Sequence, residues 1–325
     1  MRYGVPYQGS KNKIAQWIIS NLPSGDTLID LFAGGCAVTH AAILSGKWNR
    51  IVANDIGDAP QLFMDAIHGK YANEKRWISR EEFHRIKDSD TYVSLCWSFG
   101  NNRSDYLYAR EIEPWKKALH FARVHNDYSL FREFGIKTTG SKKDILENES
   151  VYKEKYIKWW LSQQPYKADK LEELIHQTES DIKSLERLQR LQSLQSLESL
   201  ERLQRLQRLQ SLERLQEDYV KVQIPDDAIV YADPPYKGTN CTGYKCEFDH
   251  MAFEQWLEKV PFMVIVSEYE APAGCVEIAS IKKQSAMGTG NKGGCKTERL
   301  FVQEKFSNKY KSLMLLEHGE QLTMI

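Results

Sequence analysis

Cysteine is scarce and scattered in this sequence. The six residues, Cys36, Cys96, Cys241, Cys246, Cys275 and Cys295, form no Cys-x-x-Cys pair and no dense framework. That excludes a disulfide-stapled scaffold and fits reduced thiols in a cytoplasmic protein. Cys241 and Cys246 are spaced too loosely to argue for a metal, and no metal site is expected. No apolar run is long enough to span a bilayer, and no signal peptide is read at the start. Net charge is missing too: 44 Lys and Arg balance 44 Asp and Glu. The total therefore demands no polyanionic partner, although a neutral sum can hide a basic face. There is no G-x-G-x-x-G, so a dinucleotide is not favoured. What remains is 42% hydrophobic and 27% charged over 325 residues, a globular composition sufficient for one large domain or two modest ones.

The most informative stretch is IVYADPPY, Ile229 to Tyr236. Ile229, Val230 and Tyr231 read as a short buried strand, preceded by the turn-forming Pro225-Asp226-Asp227. Pro234 and Pro235 have no N–H to continue a ladder, so the strand stops there. Asp233 is left at a carboxyl end, where open α/β sheets place ligands. The arrangement suits chemistry on a base amine, whose lone pair is delocalised into the ring. Two acceptors on its hydrogens, the Asp233 carboxylate and the Pro234 carbonyl, would leave that lone pair exposed, with Tyr236 stacked on the base. Taken alone, Asp-Pro-Pro is more often simply a strand-ending turn.

Upstream, Ser10 is placed as the N-cap of a helix carrying Ile14, Trp17, Ile18 and Leu22. Thr27 to Phe32 is an apolar run of strand length, followed by Ala33-Gly34-Gly35 and a helix from Cys36 to Ser45. Strand, glycine turn and helix open a nucleotide-binding βα unit, in which glycines admit a ligand close to the backbone. Arg50 to Asp55 gives a second strand, with Asp55 at its carboxyl end, about twenty residues past the turn, suited to ribose hydroxyls. The other reading of Asp55, as the N-cap of a helix over 58–68, is compatible with that role.

YQGSK, DLFAGG, ANDI and ADPPY, in that order, resemble the Dam-like (alpha-class, D12) S-adenosylmethionine-dependent DNA adenine-N6 methyltransferases of bacterial or phage type. The resemblance covers about 1–68 and 225–305. It implies site-specific transfer of methyl to adenine N6 in duplex DNA by base flipping, often within restriction-modification, with S-adenosyl-L-methionine as cofactor. It makes Asp233, Pro234, Pro235 and Tyr236 catalytic, and Tyr7, Lys11, Asp30, Phe32, Gly34, Gly35, Asp55 and Asp233 cofactor-binding. Cys36 departs from it, standing where many relatives have a third glycine.

Residues 70–165 lose the strand–helix alternation. Trp97 to Glu111 interleaves aromatics with Asn101, Asn102, Arg103, Tyr106, Tyr108 and Arg110, side chains able to read base edges or fill the gap of an extruded base. The same pattern also describes a small hydrophobic cluster, and the resemblance is what places target recognition here. Lys142 and Lys143 lie in a basic loop, Lys137 to Asp144, suited to phosphates. From Ser184 to Gln216 leucine recurs at every third position without Gly or Pro. That composition favours one long helix over about 167–218. Three residues advance about 300°, so the leucines drift around the helix and make no coiled-coil seam; self-association could cover them.

Beyond the Asp-Pro-Pro turn a loop (237–250), a helix around Phe253 to Val260, a strand from Phe262 to Tyr269, a Gly-rich stretch (287–294), a strand from Lys296 to Gln303 and a short strand near Leu313 are expected. The fold expected is α/β: a Rossmann-like methyltransferase sheet built from 1–69 and 220–325, a mainly helical recognition region over 70–165, and a Leu-repeat helix over 166–219. Cytosine N4 or RNA as substrate, and a non-catalytic nucleic-acid-binding or self-assembling protein, are the alternatives.

Overall fold

The computed structural model describes residues 3–163, 212–237, 248–284 and 295–323. The chain divides into two compact units, Met1–Ala72 with Ser199–Ile325, and Asn73–Glu198.

Among the described residues the first unit holds a seven-stranded sheet. In chain order it uses α1 (Ala15–Ser20), β1 (Thr27–Asp30), α2 (Ala37–Ser45), β2 (Arg50–Asn54) and α3 (Ala59–Ile67). In the second unit follow α4 (Arg80–Ile86), α5 (Thr91–Cys96), α6 (Glu113–His120), α7 (Ser129–Glu133) and α8 (Lys142–Ser162). The first unit resumes with β3 (Leu212–Leu215), β4 (Ile229–Ala232), α9 (His250–Lys259), β5 (Val264–Glu268), β6 (Cys275–Gln284), β7 (Cys295–Gln303) and α10 (Ser307–Thr323). The strands lie in the order β3-β2-β1-β4-β5-β7-β6. The first five are parallel, and β7 runs antiparallel to both β5 and β6. Every residue of β1, β4 and β5 is buried, as parallel strands covered on both faces require. One face packs Ile29, Val52, Val230, Val264 and Val266 against Phe253, Leu257 and Val260 of α9 and its flank. On the other, Asp30 of β1 bonds to Thr39 of α2.

Three expectations are corrected. Ser10 caps no helix: its hydroxyl accepts from Asn12 N, and α1 begins later, after Ile14. The C-terminal segment is the helix α10, not a short strand near Leu313. The end of the leucine repeat is not helical: Leu212–Leu215 is an edge strand paired with β2, Ile51 opposite Leu212. Tertiary partners override helix propensity there. The Arg50 guanidinium grips the Glu213 carboxylate with two hydrogen bonds, 2.9 and 2.6 Å. The buried Asn54 amide donates to Leu31 O and Glu217 O and accepts from Glu217 N. A period of three puts Leu212 and Leu215 on opposite faces of a strand, and Leu215 packs on the core. The rest of the repeat, 184–211, lies outside the described residues, as do Gly-rich 287–294 and, within the expected loop, 238–247. The strand β6 had no counterpart in the sequence reading.

The described part of the second unit, by itself, is mainly helical with an aromatic core. Trp115 packs edge-on to Phe131 and tilted against Tyr156. Trp77 stacks on Tyr108 at 5.7 Å.

Candidate active site

The strand order reverses between β1 and β4, since β2 and β3 lie on one side and β5 on the other. Such a switch point leaves a crevice at the carboxyl ends of the two strands. Here the register Asp30 opposite Tyr231, and a bond from Leu31 N to Tyr231 O at 2.9 Å, bring the turn after β1 level with Asp233 after β4.

The glycine turn is built by close approach. Gly34 adopts φ +46°, and a Cβ on it would lie 2.8 Å from Tyr7 Cε1; one on Gly35 would lie 2.6 Å from Tyr7 Cβ and 2.8 Å from Val5 O. Residues 3–11 thus form a strap pressed on the turn, and Val5 N donates to Gly35 O at 2.8 Å. Gly4 N donates to His40 Nδ1 at 2.9 Å. His40 is buried, and that burial pulls its pKa down to about 4. Cys36, the departure from the family pattern, opens α2 at φ +58°. Glycine takes that left-handed conformation without penalty, a side chain at about 1–2 kcal/mol. Burial pushes the Cys36 thiol well up, so it is no nucleophile.

Asp55 closes the turn from the neighbouring strand: its two carboxylate oxygens accept from Gly34 N at 2.8 Å and Gly57 N at 2.7 Å. Asp30, placed by resemblance in the cofactor set, is 1% exposed, and it accepts from Thr39 N and from Thr39 Oγ1 at 2.6 Å. Burial lifts its pKa to about 7. It acts from beneath the turn, as the anchor of the first turn of α2. Phe32 is half-buried and packs with Tyr219, Phe248 and Phe253 at 5.4 to 5.8 Å.

At the other lip, the strap reaches Asp233. Lys11 Nζ lies 2.8 Å from Asp233 Oδ1 and 4.3 Å from the centroid of the Tyr236 ring. Burial pushes the Asp233 pKa up, and the Lys11 charge pulls it part of the way back. For Lys11 burial works downward, but Asp233 and Glu298 outweigh it and the net shift is upward. Tyr236 is buried and fixed at its far end: its hydroxyl donates to Glu298 Oε2 at 2.8 Å and lies 2.6 Å from Ser267 Oγ. Tyr269 meets the same ring edge-on at 4.6 Å. Pro234 is buried and Pro235 is half-buried. Glu268, whose pKa burial lifts to about 7, accepts from Tyr269 N and Lys237 N. Glu298 escaped the sequence reading. No sequence signal singled it out, because it lies between Thr297 and Arg299 in the polar half of β7; only the fold makes it 2% exposed.

In the second unit Ser98 pairs with Tyr106 across a tight loop. Beside Gly100, which takes φ +62° freely, Asn101 and Arg103 also have φ near +60°, and non-glycine residues held there cluster at functional sites. Asn101 Nδ2 donates to Leu95 O and Asn102 Nδ2 to Asp105 Oδ2. Arg103 is half-exposed and Arg110 exposed. Tyr106 and Tyr108 are buried, edge-to-face with each other, in the aromatic cluster beneath the loop. Lys142 and Lys143 are exposed but helical, opening α8 after the Ser141 cap; the basic loop ends at Ser141 because its hydroxyl accepts from Asp144 N. Cys241 and Cys246 lie outside the described residues. No described helix is long and apolar enough to cross a membrane.

A family model for D12 class N6 adenine-specific DNA methyltransferases matches residues 7–273, well over half of the chain, and takes in Tyr7 and Lys11 of the strap, the glycine turn, Asp55 and the Asp-Pro-Pro-Tyr turn. No curated protein matches.

Proposed function

Because the chain belongs to the D12 class of N6 adenine-specific DNA methyltransferases, we propose that it methylates adenine in duplex DNA with S-adenosyl-L-methionine as donor, at the crevice between β1 and β4. Bound there, the cofactor supplies an electrophilic methyl group on a sulfonium. The residues present suit it. Asp55 stands at the end of β2 where ribose hydroxyls are met, the Gly34–Gly35 turn allows close backbone approach, and Phe32 offers an aromatic face. The carboxylates of Asp233, Glu268 and Glu298 make the surroundings favourable to a cation.

The extruded adenine is held by three groups. Tyr236, its ring clamped by Glu298 and Ser267, offers a face for stacking. Asp233 accepts one hydrogen of the N6 amine and the Pro234 carbonyl the other. Drawing on both hydrogens localises the nitrogen lone pair, and the rigid Pro-Pro tether keeps both acceptors in place before the base arrives. Pro235 fixes the direction of Tyr236. The strained loop carrying Asn101, Asn102 and Arg103, with Arg110, is the candidate reader of base edges. Lys142 and Lys143 at the start of α8 suit phosphate contacts. The buried free thiols Cys36 and Cys96 agree with a cytoplasmic location.

The observation that carries this reading is Asp233 at the end of β4, level with the glycine turn at the switch point. Plasmid DNA from cells expressing the chain, sequenced by a method that detects modified bases and digested to nucleosides, tests it. N6-methyladenine at one recurring sequence is expected, and Asp233→Ala, folded and still binding cofactor, abolishes it. N4-methylcytosine alone, transfer to RNA in preference to duplex DNA, or methylation that survives Asp233→Ala would overturn the assignment.

A further inference from the structure

The Asp-Pro-Pro-Tyr turn sits in an unusually acidic place. Asp233 feels the charge of Glu298, and is itself felt by Glu268 of β5 and Asp30 of β1. Glu298, Glu268 and Asp30 are 2%, 5% and 1% exposed. The phenols of Tyr231, Tyr236 and Tyr269 face the same region. Into this group the strap inserts one ammonium, that of Lys11, whose side chain is 7% exposed against 17% for Asp233.

A carboxyl group among like charges and out of water tends to take up a proton. For the reaction assigned above, that is fatal. A protonated Asp233 carries an O–H that competes with the amine as donor, whereas the anion only accepts. We propose that Lys11 is a positioning residue for methyl transfer: its ammonium, between the Asp233 carboxylate and the face of Tyr236, keeps that carboxylate charged and aimed for the adenine amine. This rests on the assignment of Asp233, and differs from the cofactor contact that family resemblance assigns to Lys11. The geometry favours it in two ways. The contact is to Oδ1 at 2.8 Å, and a carboxylate has lone pairs to spare for a second donor. The ammonium also rests on the Tyr236 ring at 4.3 Å, a cation–π contact that holds both groups in register. The strap that delivers Lys11 is itself fixed on the glycine turn, through Val5 N to Gly35 O. Cofactor site and reacting carboxylate are thereby tied to one short segment.

The test compares the full-length wild type with Lys11→Met and Lys11→Arg. Infrared difference titration follows the protonated carboxyl band of Asp233, assigned with Asp233→Asn. Methylation of unmethylated genomic DNA is measured across pH, and S-adenosylmethionine binding by calorimetry. In the wild type Asp233 should be ionised at neutral pH. In Lys11→Met its titration should move up by at least about one unit, a tenfold change in the ionised fraction below its pKa. The acid limb of kcat should move with it, while the cofactor Kd stays within about threefold. Lys11→Arg should keep the wild-type titration and most of the activity. If Lys11→Met does not fold, the wild-type titration still decides: an Asp233 protonated at neutral pH overturns the proposal. So does a Lys11→Met variant whose Asp233 titrates as before, or one whose loss is confined to the cofactor Kd. A wild-type chain that leaves DNA unmodified would instead sink the function, while the infrared titration still rules on Lys11.

Discussion

Replacing Gly35 by alanine adds one carbon at the point where strap and glycine turn touch. That carbon would lie 2.6 Å from Tyr7 Cβ and 2.8 Å from Val5 O. Neither neighbour can yield cheaply, because one is the root of a side chain and the other is backbone, and Val5 N is bonded to Gly35 O at 2.8 Å. The strap must lift. Overpacking of this kind costs about 1–3 kcal/mol, against a total stability of about 5–15 kcal/mol. A fall in Tm of about 2–10 °C is therefore expected. Because the strap borders the proposed cofactor site, the cofactor Kd should rise at least about tenfold, the equivalent of about 1.4 kcal/mol. Calorimetric titration with S-adenosylmethionine and a thermal melt measure the two effects on one sample. Gly46→Ala is the control: Gly46 also has positive φ, +66°, but a Cβ there meets nothing within 4 Å. It should lose about 1–2 kcal/mol for the left-handed backbone and leave cofactor affinity unchanged. A Gly35→Ala variant with the parent's Tm and Kd, or a Gly46→Ala variant equally impaired in binding, would refute the reasoning.

Two further outcomes follow from buried groups. With a folded-state pKa lowered to about 4, His40 contributes stability that is present above its ordinary value and lost as pH falls from about 6.5 toward 4, about 3 kcal/mol in order of magnitude. Urea melts of His40→Gln should show a flatter pH dependence across that window than the wild type, and an unchanged slope would remove His40 from the account. Asp30 works the opposite way, since its raised pKa of about 7 makes its contribution fall as pH rises to neutrality. Tyr236→Phe removes the hydroxyl shared by Ser267 and Glu298. It should destabilise by about 1–3 kcal/mol and slow methylation while cofactor Kd holds; full activity with wild-type stability would show that the clamp on the ring is idle.

The linear order of chemistry along this chain is a sequence property. A strand ending in Ala-Gly-Gly, a second ending in Asp55 and a third ending in Asp-Pro-Pro-Tyr announce themselves through short-range physics: apolar runs, residues without an N–H, and glycines where a ligand or another backbone comes close. The parallel sheet and the placement of Gly34, Asp55 and Asp233 at its carboxyl edge follow from those local signals. Local signals failed where partners distant in the chain decide. Leu212 to Leu215 carries a strong helical bias, yet Arg50 and Asn54, remote in sequence, hold it as an edge strand. Tyr106 and Tyr108 look like aromatics on offer to DNA and are buried against Trp77 and each other. Lys11, Glu298 and Ser267 lie far apart in the chain and become one network around Tyr236 only once strap, β5 and β7 converge. Periodicity and turn chemistry reach a few residues along the backbone; which charge ends up facing which is settled by packing, since only burial makes a single ammonium matter to a single carboxylate.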